Sequence, residues 1–267
     1  MKKTLAILLI VIAAIPVAAQ RSNEIGLFLG GSYYTGELNP AGHLNSLTRP
    51  AAGLVFRHNF NYRFSVATSL LFGSVQGIDS RSGALEQQRR NLSFRSRMFE
   101  LSARAEFNFI EYAIGNDKYS FTPFMFLGIG AFNFNPKASL GNEWIALQPL
   151  KTEGQSKGYM LTQISIPFGA GAKFNLANRI GLVVDWGLRK TFTDYIDDVS
   201  TVYADPALLL ANSGPVAVTL ADRGNTGGDN VGRQRGNPRN KDWYSFIGLT
   251  LSFRLVDKPV QCSGVGI

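Results

Sequence analysis

From Phe99 to Phe109 every second residue is apolar: Phe99, Leu101, Ala103, Ala105, Phe107 and Phe109 alternate with Glu100, Ser102, Arg104, Glu106 and Asn108. Successive strand side chains point to opposite faces, so this segment is a strand with one apolar and one charged face; a helix would scatter both sets around its axis. The same period runs through residues 163–174, where Ile164, Ile166, Phe168, Ala170, Ala172 and Phe174 oppose Gln163, Ser165, Gly169, Gly171 and Lys173. In residues 182–189, Leu182, Val184, Trp186 and Leu188 oppose Asp185, Gly187 and Arg189. Further strands are expected over residues 24–35, 51–60, 64–75, 120–134 and 243–255. Residues 120–134 are apolar on both faces, but Gly128 and Gly130 share a face with Phe124, Phe126 and Phe132, which leaves room for bulky neighbours.

The connections alternate in length. Short ones fall at residues 61–63, 111–119 and 175–179, and long ones at residues 36–50, 76–93, 135–162 and 190–242. Outer-membrane barrels show this asymmetry, with tight periplasmic turns and long outer loops. Met1-Lys2-Lys3, the apolar run of residues 5–15 and Val17-Ala18-Ala19 read as a secretory signal too short to span a bilayer. The expected organisation is therefore a signal peptide (1–19), a barrel (20–256) and a periplasmic C-terminal tail (257–267). The fold class is all-β, an eight-stranded antiparallel transmembrane outer-membrane β-barrel with both termini in the periplasm. A soluble lipocalin-like barrel is the alternative. Aromatic residues near strand ends, among them Tyr33, Phe60, Tyr62, Phe64 and Trp243, favour the membrane.

Composition narrows the function. Charged residues are 17% and aromatic ones 12%, which excludes a disordered chain, and one cysteine excludes a disulfide scaffold or a cysteine-rich metal site. The net charge of +8 suits an anionic partner, and export turns that expectation from nucleic acid to outer-membrane lipid and lipopolysaccharide. Basic residues gather in two groups, Arg81, Arg89, Arg90, Arg95 and Arg97, and Arg223, Arg233, Arg235, Arg239 and Lys241. Such a group either meets phosphate or is a solvated loop surface. The polar strand faces place Arg57, Glu100, Arg104, Glu106, Lys173, Asp185, Arg189 and Arg254 in the lumen, where a paired network that plugs the barrel is expected over an ion path.

Thr193-Asp194-Tyr195-Ile196-Asp197-Asp198 offers carboxylates at the spacing of a turn. An oxygen-ligand calcium site is one reading, but the segment lacks the glycine and distal glutamate of an EF-hand loop, so Asp194 and Asp197 are expected instead to cap backbone N–H groups, with no metal or cofactor. His43 and His58 have no rigid partners that would make a catalytic pair, so no enzyme is expected. The tail carries Pro259 and the single cysteine, Cys262; in an oxidising compartment that thiol is expected either to dock to a soluble partner through a disulfide or to sit idle in a terminus.

Three segments in order, the loop holding Trp144, Gln148 and Glu153, the strand QISIPFGAGAKF (163–174), and RKTFTDYIDDVSTVY (189–203) with Asp194, Tyr195, Asp197 and Asp198, resemble a known family. It is the PorG-like outer-membrane barrel family of Bacteroidetes, part of the type IX (Por) protein secretion apparatus and linked in some relatives to gliding motility. The resemblance runs from about Glu24 to Cys262. It implies a non-enzymatic component that docks the periplasmic ring of the apparatus, through its ring lipoprotein, to the outer membrane. A general structural barrel, or a lipid A-modifying enzyme, are the alternatives.

Overall fold

A computed structural model describes residues 21–39, 43–224 and 230–255; the expected signal peptide and the tail with Pro259 and Cys262 lie outside the described residues. The strands are β1 (Ser22–Thr35), β2 (Arg49–Asn59), β3 (Phe64–Ile78), β4 (Ser93–Asn108), β5 (Phe121–Leu140), β6 (Glu143–Ala146), β7 (Thr162–Ala177), β8 (Ile180–Thr191) and β9 (Trp243–Arg254). They pair antiparallel in the order β4-β3-β2-β1-β9-β8-β7-β5, and β4 pairs again with β5, closing an eight-stranded barrel. The short β6 lies outside the ring, folded back on the far end of β5 with Leu140 opposite Glu143. Closure leaves the ring itself without a free edge, and this is what lets such a sheet exist without a partner.

Short turns join β2 to β3, β4 to β5 and β7 to β8 at one end; the long connections cluster at the other. The seam strands β1 and β9 meet with Glu24 opposite Arg254, and Leu255 N–H donates to the Asn23 carbonyl at 2.7 Å, so both described chain ends leave at the short-turn end. Three short helices punctuate the long loops: α1 (Leu85–Arg90), α2 (Pro206–Ser213) and α3 (Pro215–Ala221). Asp205 caps α2 by accepting from Ala207 N–H at 2.8 Å, and Asn91 ends α1 in the left-handed conformation that asparagine tolerates.

The barrel has two storeys of opposite polarity. In the lower one, apolar side chains such as Leu54, Phe56, Leu101, Leu127, Ile129, Leu249 and Leu251 face outward and are exposed, while charged and hydroxyl groups fill the inside. This belt runs from the Phe64–Phe107 pair to the Phe72–Phe99 pair, nine residues along β3. A tilted strand needs about nine to eleven to cross a bilayer. Above Phe72 and Phe99 the polarity reverses. Ser74, Gln76, Arg95, Arg97, Asn133 and Lys137 occupy outward positions, while Val75, Phe94, Met98, Phe132, Phe134 and Ala138 are buried. These join Ile196, Val199 and Leu220 of the last loop in one apolar core. Upper β4 and β5, residues 93–97 and 135–140, therefore continue strands beyond the expected ends.

Long inward side chains need space, and glycine supplies it. A Cβ at Gly128 would lie 2.8 Å from the Cα of Arg104 on the neighbouring strand, too close for any side chain. Gly128→Ala is therefore expected to strain the β4–β5 closure and to destabilise the barrel by about 1–3 kcal/mol. The check is the urea midpoint of tryptophan fluorescence in detergent, with Gly83→Ala, which meets open space, as the control.

Candidate functional site

The inner wall of the lower storey carries four cations and four anions. Arg57, Arg104, Lys173 and Arg189 face Glu24, Glu100, Glu106 and Asp185, all buried. Glu106 is the hub: it meets Arg57 at 2.8 Å, Lys173 at 2.7 Å and Arg104 at 3.0 Å. Arg57 reaches on to Glu24 at 2.7 Å, and Arg104 reaches across the lumen to Asp185 at 2.7 Å. One level higher, Arg189 pairs with Glu100 at 3.0 Å, and Glu100 also accepts from the Tyr244 hydroxyl at 2.8 Å and from Ser102 at 2.9 Å. Aromatic faces support the cations, with Arg104 over Phe126, Lys173 over Phe124 and Arg189 over Phe246 at 4.5–4.8 Å. Beside Arg104, Asp185 and Arg189 there remains a cavity of about 10 Å³, room for one water molecule at most.

Two residues depart from the expected network. Arg254 is half-buried at the short-turn end and donates to the Ile114 carbonyl at 2.9 Å, while Glu24, its partner across the β1–β9 seam, pairs with Arg57 instead. Glu24 joins the network unannounced, although its parity with the inward Gly26 and Phe28 along β1 marks that face.

The loop segments of the upper storey converge over the barrel mouth. Thr152 and Tyr159 donate to the Asp198 carboxylate, the latter at 2.8 Å, and Tyr159 stacks on Tyr195 with centroids 4.6 Å apart. Glu153 accepts from Ser200 N–H at 2.8 Å, from the Thr201 hydroxyl at 2.7 Å and from Arg235 at 3.0 Å. Gln148 donates to the Tyr159 carbonyl at 3.0 Å, whereas Trp144 on β6 is exposed with Arg95 over its ring at 6.0 Å. Asp197 caps Val199 N–H at 2.9 Å as expected of a turn aspartate. The second cap in this turn is Thr193, whose hydroxyl accepts from Tyr195 N–H at 3.2 Å, in place of Asp194. Burial raises the Asp194 carboxyl to about 7, against the opposing pull of the Ser200 hydrogen bond and the Lys241 charge.

Asp197 also meets two further carboxylates. Glu37, Asp197 and Asp242 each bring an oxygen within 4.8 Å of the others, a donor set that suits hard cations. The Tyr34 hydroxyl lies between two of them, 2.5 Å from Asp197 and 3.0 Å from Asp242. Burial first, then mutual repulsion, pushes Asp197 and Asp242 well above the usual carboxylate range, so these groups are neutral well past the pH at which a free aspartate ionises. Burial also raises Asp198, to about 6 despite Arg235.

The histidines lie apart from this cap. His43 hydrogen-bonds the Tyr33 hydroxyl at 3.2 Å and packs edge-on against Trp186, while Ser46 accepts from Arg81 at 3.5 Å. His58 hydrogen-bonds Asn23 at 2.7 Å near the short-turn end.

A family profile described as "Domain of unknown function (DUF6089)" matches residues 2–206. The chain belongs to that family. No curated protein matches it. Among solved structures it is similar to Ail, the attachment invasion locus protein of Yersinia pestis, in complex with the heparin analogue sucrose octasulfate: 11% identity over 88% of this chain and 99% of that one, TM-score 0.41. It is similar also to Neisserial surface protein A, with 6% identity over 87% and 97% and TM-score 0.43. A major outer membrane protein from Thermus thermophilus gives 12% identity over 87% and 99% and TM-score 0.43. The eight-strand closure itself is read from the strand pairing of this chain.

Two outcomes follow from the charges. Arg104→Ala strips Asp185 of its cation, while Glu106 keeps Arg57 and Lys173. It should cost about 3–5 kcal/mol, and Arg104→Met with Asp185→Leu should recover most of that loss in the denaturant midpoint. In the cap, carboxyls raised in the folded state stay protonated while the unfolded ones ionise near pH 4, so their stabilising share is full below that pH and lost as pH rises through about 6 to 7. The near-ultraviolet dichroism of the Tyr159–Tyr195 stack should melt at a lower temperature at pH 8 than at pH 5. Asp194→Asn should narrow that difference.

Proposed function

We propose that this chain is a non-enzymatic outer-membrane barrel that serves as an anchor for a secretion apparatus, with its long loops outside and its short turns and both termini in the periplasm. The observation that carries the anchoring role is the sealed lumen. Among the described residues, four cations, four anions and aromatic rings fill the lumen around a cavity of about 10 Å³, which supports a barrel closed to ions and solutes. What such a barrel offers its membrane is a fixed, inert stave and two surfaces, one on each side. The exposed apolar belt of nine residues' height supports the membrane placement, since leaving so much aliphatic and aromatic surface in water is unfavourable.

The finer role rests on the resemblance to the PorG-like barrels of the type IX apparatus. Two of the three segments that carry it, the loop before β7 and the run after β8, lock together above the mouth, Glu153 to the turn after Val199 and Tyr159 to Tyr195, while the third is β7 itself. The first two therefore shape the cap, and docking of the periplasmic ring falls to the opposite end, with the short turns and the tail bearing Pro259 and Cys262.

Deletion of the gene should abolish export of the apparatus's cargo, and the protein should co-purify with the ring lipoprotein from outer membranes. Cys262→Ser should remove any reducible higher-mass species and weaken that association. An unchanged secretion profile after deletion would leave a general structural barrel, and recovery in the soluble periplasm would end the membrane reading itself.

A further inference from the structure

Members of two basic groups that are far apart in sequence meet in one place. A cleft of about 1030 Å³ opens at the long-loop end between α1, the turn after β1, residues 230–241 and the tops of β8 and β9. Its lining includes Arg89 from the first group, Arg233, Arg239 and Lys241 from the second, and Lys190 from β8. Arg90 and Arg235 also line it, but their charges are taken, by Asp79 at 2.7 Å and by Glu153 at 3.0 Å. The other five are held more loosely or not at all. Arg89 has only an exposed 3.5 Å contact with Glu86, and Lys241 donates to the neutral Pro238 carbonyl. Lys190, Arg233 and Arg239 have no ion pair among the described residues. Against them the lining carries two carboxylates, Glu37 and Glu86.

The depth of the cleft says what kind of anion it meets. Its floor is a row of paired residues, Thr35, Trp243 and Lys190, at the tops of β1, β9 and β8. The adjacent Arg189 and Tyr244 are buried in the lumen, so by strand alternation this row faces outward. Directly beneath it on the outer wall lies Phe168, whose ring meets Trp243 at 6.0 Å, with Leu188 beside it on β8. The cleft thus begins where the apolar belt ends, with an indole at the boundary, and rises into a wall that carries the unpaired guanidinium groups of Arg233 and Arg239. Sugar-phosphate headgroups of the outer leaflet occupy that level, and guanidinium binds phosphate in a bidentate, charge-assisted manner.

We propose that this cleft binds the phosphorylated headgroup of an outer-leaflet glycolipid, holding the barrel at a fixed height and its last loop against the membrane surface. The assignment rests on the outer-membrane placement proposed above but not on the secretion role, so it stands or falls apart from any secretion phenotype.

The test uses the full barrel purified in neutral detergent and titrated with bisphosphorylated lipid A, with the same lipid stripped of phosphate, and with glucosamine 1-phosphate in solution. Bisphosphorylated lipid A should bind tightly and the stripped lipid at least about tenfold more weakly, since charge-assisted bonds are lost. Arg233→Ala with Arg239→Ala, and separately Lys190→Ala, should each weaken binding by about tenfold or more, while unboiled samples keep the gel migration of a folded barrel. Equal affinity for the phosphate-free lipid, or no change in the variants with the fold intact, would overturn the proposal. Glucosamine 1-phosphate binding as tightly as the lipid would make the ligand a free sugar phosphate and overturn the assignment to the leaflet.

Discussion

A charge on the inner wall of an eight-stranded ring has little water to turn to and no room to swing away, so it must find its opposite across the lumen or unfold the wall that carries it. The chain meets this condition by distributing four cations and four anions over β1, β2, β4, β7 and β8. Glu106 alone would be overwhelmed by Arg57, Arg104 and Lys173; Glu24 and Asp185 take up the excess. The pairs tie strands that are not neighbours, β4 to β8 and β2 to β4, so the network acts as a set of cross-braces inside the ring. Room for those braces comes from glycines such as Gly128, Gly171 and Gly187, where a side chain would collide with Arg104, Asp185 or Arg189.

The reversal of polarity above Phe72 and Phe99 lets one sheet serve two surroundings. Below that level an apolar outer wall wraps a polar interior; above it a polar wall wraps an apolar core. The same strands, with the same alternation, pass through both. Only which of the two faces is apolar changes, and in β4 it changes between Arg97 and Phe99.

That switch also explains what could and could not be read from the residues. The eight staves were visible because alternation survives on either side of the boundary, and the inner charges were visible because they share a face with one another. The upper parts of β4 and β5 were not, since Arg95 and Arg97 break the apolar row by which residues 99–109 declare their outer face. β6 is four residues of an arm held by pairing with β5, without a pattern long enough to show. Contacts such as Glu153 with Thr201, or Glu37 with Asp197 and Asp242, join residues far apart in the chain, and no spacing rule reports them. Two basic groups were legible as groups; that they face one cleft depends on how the loops fold back.

The apolar core of the upper storey draws on both ends of the chain. Tyr34 comes from the first strand, Tyr244 and Phe246 come from the last, and they pack with Phe94, Met98 and Phe132 from the middle and with Ile196, Val199 and Leu220 of the loop before β9. That loop cannot gather its full set of neighbours until the first and last strands have zipped together. Maturation of the outer cap is thereby made conditional on closing the seam, so a barrel left ajar during assembly would present an unfinished exterior, and quality control could recognise failure on one side of the ring from the state of the other.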